Sequence, residues 1–70
     1  MKVEEMVIGK RYKIKTIYMR LSSGKREKFF GTYKGIQFGD AQFRDMQFTA
    51  GGVFKNGFCT LASITDIEDL

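Results

Sequence analysis

Alternating apolar and basic residues near the N-terminus predict a first strand. In the stretch RYKIKTIYMRL, Tyr12 and Ile14 alternate with cations, the period-two pattern of a strand with one buried and one solvated face. After Thr16 the apolar residues move to the other parity, which indicates a β-bulge or a strong twist at that point. The cations that this pattern places on the outer face are Arg11, Lys13 and Lys15.

A second, longer strand is expected from the run REKFFGTYKGIQF, which follows the loop-like sequence SSGK. Gly31 and Gly35 lie inside this run, and glycine is where a strand can bend sharply. A long strand interrupted by glycine is typical of the corner of a β-barrel. Because consecutive residues of a strand point to opposite faces, one of the neighbours Phe29 and Phe30 should be exposed.

The stretch FGDAQFRDMQF is compatible with two structures. A helix over residues 41–50 could begin after Asp40 as N-cap and end at Gly51 and Gly52. A hairpin could instead turn at Gly39 and Asp40. The helix would have no continuous apolar stripe, so we favour the hairpin and keep the helix as the alternative.

The hairpin interpretation makes specific predictions about pairing. The expected cross-strand pairs, all on the buried face, are Phe38 with Ala41 and Ile36 with Phe43. Unbroken alternation would then turn Asp45 inwards, whereas one extra residue returns Met46 and Phe48 to the buried face. We therefore expect a bulge at Arg44 and Asp45.

The last third of the chain contains several turn signals. The sequence AGGV is typical of a loop, and FKNGF carries Asn56-Gly57, the dipeptide most typical of a tight hairpin. The short strand FCTL should then direct Cys59 and Leu61 inwards. A 3₁₀ turn around residues 62–64 and a brief final strand containing Ile67 fit the remaining length.

These elements predict an all-β protein with five short antiparallel strands in a single domain, residues 1–70. The segments IGKRYKI, FFGTYKGI, FGDA, AQFRDMQF and TLASITDI resemble small SH3-like β-barrels, such as the short barrels of large DNA viruses, phages and bacteria. The resemblance implies a five-stranded antiparallel barrel with a strongly bent second strand and a short 3₁₀ turn before the last strand. Tryptophan and proline, which mark peptide-binding SH3 domains, are absent, so we expect no binding of proline-rich peptides.

The amino-acid composition limits the kinds of catalytic and metal-binding site that the chain can form. The 70 residues include one cysteine and no histidine, so an internal disulfide is impossible and no zinc-ligand spacing is present. We expect no metal, no cofactor and no enzymatic activity, because neither Cys59 nor the C-terminal acids have a recognisable activating neighbour. No apolar run approaches the ~20 residues of a membrane helix, and no signal peptide is recognisable. Together with the free thiol of the single cysteine, these two observations predict an intracellular protein, cytoplasmic or nuclear.

The charge distribution is the main functional signal. Residues 1–34 hold ten of the twelve Lys and Arg against three acids, for a net +7, while residues 35–70 carry a net −3. A basic strand face interleaved with aromatic rings is expected to bind nucleic acid through phosphate contacts and base stacking. The candidate nucleic-acid-binding residues are Arg11, Lys13, Lys15, Arg20, Lys25, Arg26, Lys28, Lys34, Phe29 and Tyr33.

A second functional class fits the same residues. A lysine-rich outer face also keeps small sheets soluble, and an exposed phenylalanine can equally belong to a subunit interface. The alternative prediction is therefore a protein-binding or self-assembling module that forms a homo-oligomer.

Overall fold

The computed structural model describes residues 1–19, 24 and 26–70. The five strands are Arg11–Met19 (β1), Arg26–Gln37 (β2), Asp40–Phe48 (β3), Val53–Thr60 (β4) and Ile64–Asp69 (β5), with 3₁₀ turns at Val3–Glu5 and Leu61–Ser63. They form one open antiparallel sheet in the order β4-β3-β2-β1-β5. The prediction of five antiparallel strands is confirmed. The helical alternative for residues 41–50 is wrong, because β3 occupies most of that stretch.

The core lies on one face of the sheet, which we call the inner face. A row of side chains crosses it from Ile67 on β5 through Ile14 and Phe29 to Phe48 on β3. The ring of Phe29 also meets that of Phe43 edge to face, with centroids 5.1 Å apart, a favourable geometry for aromatic pairs. Fully burying a side chain of this size contributes about 1.5–3 kcal/mol, so this layer is the main stabilising element of a small sheet.

Two predicted bulges are confirmed. In β1 the pairing with β2 shifts between Lys15 and Met19, and Thr16 is buried. In β3 the pairing with β2 shifts at Asp45, which adopts φ of +50°, and Met46 after it returns to the core. In β3 the additional residue allows apolar side chains before and after the bulge to face the same side, whereas Ile17 and Tyr18, which follow Thr16 in β1, are about half exposed.

Strand β2 is irregular at the two glycines. Its pairing with β3 shifts once around Gly31 and again just before Gly35. At Gly31 an added Cβ would lie 3.3 Å from atoms of both Phe29 and Phe43, so the absence of a side chain lets these rings pack against the backbone. Gly35 adopts φ of +102°, a conformation that other residues rarely take.

The turn between β2 and β3 lies one residue earlier in the chain than predicted. Gln37 pairs with Asp40, so the central residues are Phe38 and Gly39, whose φ angles are +55° and +78°. Positive φ at both positions is the signature of a type I′ turn. The side chain of Gln42 stabilises it, because its Nε2 donates to the carbonyl oxygens of Gln37 and Asp40 at 3.2 and 3.4 Å.

This shift changes which side chains are buried. Ile36 lies opposite Ala41 rather than Phe43 and remains about half exposed. Phe38, predicted to pair with Ala41 in the core, is 98% exposed at the tip of the turn. Both predicted pairs are therefore wrong, although Ala41 and Phe43 themselves are fully buried.

The predicted hairpin at Asn56-Gly57 is also wrong. The two residues lie in the middle of β4, opposite Arg44 and Phe43 of β3. The sulfur of Met46 packs against Gly57, and it would have to shift if this residue had a Cβ. The β3–β4 connection is instead formed by residues 49–52, where the AGGV loop was predicted.

The C-terminal elements follow the prediction closely. The 3₁₀ turn Leu61–Ser63 precedes β5, and Ile67 of β5 is buried. Cys59 faces the core as expected, whereas Leu61 is exposed because the chain leaves the strand at that residue. Strand β5 crosses back to pair with β1, so β4 and β5 are the two edges of the sheet.

Candidate nucleic-acid interface

The outer face of the sheet carries most of the predicted cations. Lys13 lies between Phe30 of β2 and Glu68 of β5, and Lys15 lies between Lys28 and Asp66 on the same two strands. These side chains line one shallow cleft, which we call the lysine cleft. Its residues are Lys13, Lys15, Lys28, Asp66 and Glu68.

The lysine cleft is partly neutralised by its own acids. Asp66 and Glu68 lie directly opposite Lys15 and Lys13 in the β1–β5 ladder, and opposite charges in such positions attract each other. The basic first half and the acidic second half of the sequence therefore meet in space at this edge. A polyanion that approaches the cleft would encounter two carboxylates among three lysines.

A second group of cations lies nearer the centre of the outer face. Arg11 pairs with Thr32, Thr32 with Arg44, and Arg44 with Asn56. Arg11 Nη1 donates to Thr32 Oγ1 at 3.3 Å, and Lys34 Nζ donates to Asn56 Oδ1 at 3.4 Å. We call Arg11, Lys34 and Arg44 the central row. Their arrangement brings three cations together, and two of them donate hydrogen bonds to neutral side chains.

The dimensions of the central row follow from sheet geometry. Arg11 and Arg44 are two strands apart, which separates their Cα atoms by about 10 Å. The carboxylate of Asp45 lies 3.8 Å from Arg44 Nη1, and both side chains are more than half exposed. An exposed contact of that length contributes little, so the guanidinium of Arg44 remains available to an anion.

Both aromatic residues that were predicted to bind nucleic acid require correction. Phe29 and Tyr33 are only 2% and 5% exposed and belong to the core, where both rings contact Phe43. Burial raises the pKa of the Tyr33 phenol above its ordinary value. Neither ring is accessible to a base, because β2 turns both towards the inner face.

The aromatic rings that do lie on the outer face are Phe30 and Phe58. Phe30 is partly buried, and Lys13 Nζ lies 5.7 Å from its ring centroid. Phe58 is 65% exposed and points outwards because its neighbours Gly57 and Cys59 face the core. The sequence analysis did not name Phe58 or Arg44 as candidate binding residues. The inward prediction for Cys59 implies that its neighbour Phe58 points outwards, and the predicted bulge implies the same for Arg44.

The remaining predicted residues belong to neither group or lie outside the described part of the chain. Arg26 is exposed at the start of β2, opposite Met19. Arg20 and Lys25 lie outside the described residues. Lys10 was not predicted, and its Nζ contacts Asp69 Oδ2 at 2.8 Å. The hydrogen bond that Lys10 donates to this carboxylate raises the pKa of Lys10, and Asp69 therefore already compensates the charge of that lysine.

The single thiol is placed for packing. Cys59 is buried, and desolvation raises its pKa to about 11 against the opposing effect of a hydrogen bond with Ser63. A thiol with this pKa carries almost no thiolate at neutral pH. In the described part of the chain, no group of three or more His, Cys, Asp and Glu could hold a metal ion. Among the same residues, no helix has the length and apolar character required to cross a membrane.

Comparisons with protein-family models, curated protein sequences and solved structures give no match. The function is therefore inferred from the residues of this chain and their geometry.

Proposed function

We propose that this chain is a non-enzymatic module that binds single-stranded nucleic acid across the outer face of its sheet. The observation that carries the proposal is the central row, in which Arg11 and Lys34 donate to neutral partners and Arg44 has one exposed 3.8 Å contact with Asp45. Phosphate binding depends on cations that release counterions. Such cations are most effective where no carboxylate already neutralises them.

We also propose that the sheet belongs to the SH3-like barrel class. The strand order, the irregular β2 and the 3₁₀ turn before β5 support this assignment. In such a scaffold, the outer face of the central strands is a continuous surface on which an extended ligand can lie. The fold alone does not fix the function, so the chemistry of this surface carries the functional argument.

The exposed ring of Phe58 favours a single strand over a duplex. Phe58 follows Asn56 by two residues on the outer face of β4, and Asn56 is paired with Arg44. A base could therefore stack on the ring of Phe58 while the adjacent phosphate contacts the central row. Stacking on an aromatic ring requires unpaired bases. Reading a duplex in its major groove instead requires a protruding helix or β-ribbon, and the described residues of this open face form neither.

The proposal is tested by titrating the protein into a labelled 12-nucleotide single strand and into the matching duplex at several salt concentrations. Three phosphate contacts predict a slope of about −2 in a plot of log K against log salt for the single strand. The single strand should bind more tightly than the duplex. Undetectable binding at low salt, or binding insensitive to salt, would contradict the proposal.

Self-assembly is a second candidate function, favoured by one observation. Strand β4 is an edge of the sheet and exposes Val53, Phe54 and Phe58. Large apolar side chains on an unpaired edge are typical of a site that another strand covers.

A further inference from the structure

The exposed ring of Phe58 has different neighbours on its two sides along β4. Two residues before it lies Asn56, which is paired with Arg44 of the central row. Two residues after it lies Thr60, which is paired with Asp40 at the start of β3. A single strand that passes over the ring therefore meets a cation on one side and a carboxylate on the other.

Gln42 of β3 lies directly opposite Phe58. Its side chain is on the outer face, because its neighbours Ala41 and Phe43 are fully buried in the core. Opposed residues of an antiparallel pair have Cβ atoms about 4.5–5.5 Å apart, and their side chains interact. Gln42 is therefore the cross-strand neighbour of the ring on which a base would stack.

The hydrogen bonds of Gln42 determine which part of its amide a ligand can use. Its Nε2 donates to the carbonyl oxygens of Gln37 and Asp40 at 3.2 and 3.4 Å. A side-chain amide nitrogen has two hydrogens to donate, so the β2–β3 turn uses both of them. The amide oxygen Oε1, which can only accept, is the group that Gln42 offers to a ligand. With the carboxylate of Asp40, it makes this side of Phe58 rich in hydrogen-bond acceptors.

A surface rich in acceptors distinguishes a phosphate from a base. The carboxylate of Asp40 repels a phosphate, so the backbone of a bound strand should lie on the central-row side of Phe58. The base edge that reaches Gln42 should carry N–H groups. Adenine, cytosine and guanine each have an exocyclic amine, whereas thymine has a carbonyl oxygen, O4, where cytosine has its amine. Uracil has the same carbonyl oxygen as thymine.

We propose that Gln42 selects the base that stacks on Phe58, and that it favours bases with an exocyclic amine over thymine and uracil. The amine donates to Oε1 of Gln42, whereas the O4 of thymine or uracil places two acceptors against each other. A polar group that loses its partner on binding costs free energy. The inference rests on the proposed binding of a single strand and adds a preference among bases to it.

Three single strands of equal length test the preference with the unmodified chain. They are built from deoxycytidine, from deoxyuridine and from the deoxynucleoside of 2-pyrimidinone, which has neither the amine nor the O4 oxygen. Fluorescence anisotropy at slightly alkaline pH, where cytosine is uncharged, should show about fivefold tighter binding of the cytosine strand than of the uracil strand, the effect of one hydrogen bond. The 2-pyrimidinone strand should also bind more weakly than the cytosine strand. Equal affinities for cytosine and uracil, or a 2-pyrimidinone strand that binds as tightly as cytosine, would overturn the proposal.

A pair of glutamine variants tests the role of Gln42 itself. Gln42→Ala should weaken binding of the cytosine strand about fivefold and leave binding of the uracil strand nearly unchanged. The matched control is Gln47→Ala, which removes another outward glutamine of β3, paired with Val53 rather than with Phe58, and should retain the preference. Circular dichroism melting shows whether each variant folds. A preference that survives in folded Gln42→Ala would refute the role of this residue.

The same measurements separate this inference from the proposed function. Salt-dependent binding of equal strength to all three strands would remove the selection by Gln42 and leave nucleic-acid binding in place. Absence of salt-dependent binding to any of the three strands would contradict both.

Discussion

The outer face of the sheet contains two groups of cations with different surroundings. In the lysine cleft, Lys13 and Lys15 lie opposite carboxylates of β5. In the central row, Arg11 and Lys34 contact the neutral side chains of Thr32 and Asn56. The difference predicts that the number of cations along a strand does not by itself determine its attraction for a polyanion. The neighbouring strand determines how much of that charge remains uncompensated.

The largest expected effect comes from reversing charge in the central row. Lys34→Glu combined with Arg44→Glu should weaken binding of a single-stranded oligonucleotide about 30-fold at low salt, since two of the three cations become repulsive. Fluorescence anisotropy measures the affinity. The matched control is Lys13→Glu combined with Lys15→Glu, which makes the same charge change in the lysine cleft and should weaken binding only a few-fold. Equal losses in the two double variants would remove the distinction between the regions.

An intermediate effect is expected from the exposed ring beside the central row. Phe58→Ala should reduce affinity for a single strand by about tenfold, since stacking contributes roughly 1–3 kcal/mol per base, while duplex binding should change little. Phe38→Ala is the control, because Phe38 is almost fully exposed but lies at the tip of the β2–β3 turn. Similar effects of the two substitutions would show that Phe58 does not stack on a base.

The smallest effect should come from removing the acids of the lysine cleft. Asp66→Asn combined with Glu68→Gln should strengthen oligonucleotide binding about threefold at low salt, with the gain shrinking as salt screens the charges. Glu4→Gln combined with Glu5→Gln changes the net charge equally on the 3₁₀ turn Val3–Glu5 and should have a smaller effect. If both double variants gave the same gain, net charge rather than local neutralisation would explain it.

Local patterns in the sequence predicted much of the fold. The bulge at Arg44 and Asp45 was predictable because Ala41, Phe43, Met46 and Phe48 can share one face only if an extra residue intervenes. The change in parity of the apolar residues after Thr16 likewise predicted the register shift in β1. Both irregularities can be predicted from a single strand, because each interrupts the period-two alternation of its apolar residues.

Features that depend on contacts between distant residues were not predictable from local patterns. Phe38 in a type I′ turn contradicts its local preference, and Asn56-Gly57 has the local sequence of a hairpin. The turn is stabilised by the side chain of Gln42, and Gly57 lies within a strand, paired with Phe43 and in contact with the side chain of Met46. Tertiary packing overrode the local signal in both places.

The candidate site shows the same division. Alternation along β1 correctly placed Lys13 and Lys15 on one face, where they line the same cleft. It could not place Asp66 and Glu68 beside them, because that contact requires β5 to return across the sheet to β1. Nor could it decide which of Phe29 and Phe30 is buried, since this depends on the register between β1 and β2.

The central claim, that the exposed cations of the central row bind phosphates, is tested most directly by the salt dependence of binding to a single-stranded oligonucleotide. The unmodified chain should give a slope of about −2 in log K against log salt, and Lys34→Glu with Arg44→Glu should bring that slope close to zero. A slope that persists in this variant but disappears when Lys13 and Lys15 are replaced by Glu would contradict the claim and assign phosphate binding to the lysine cleft.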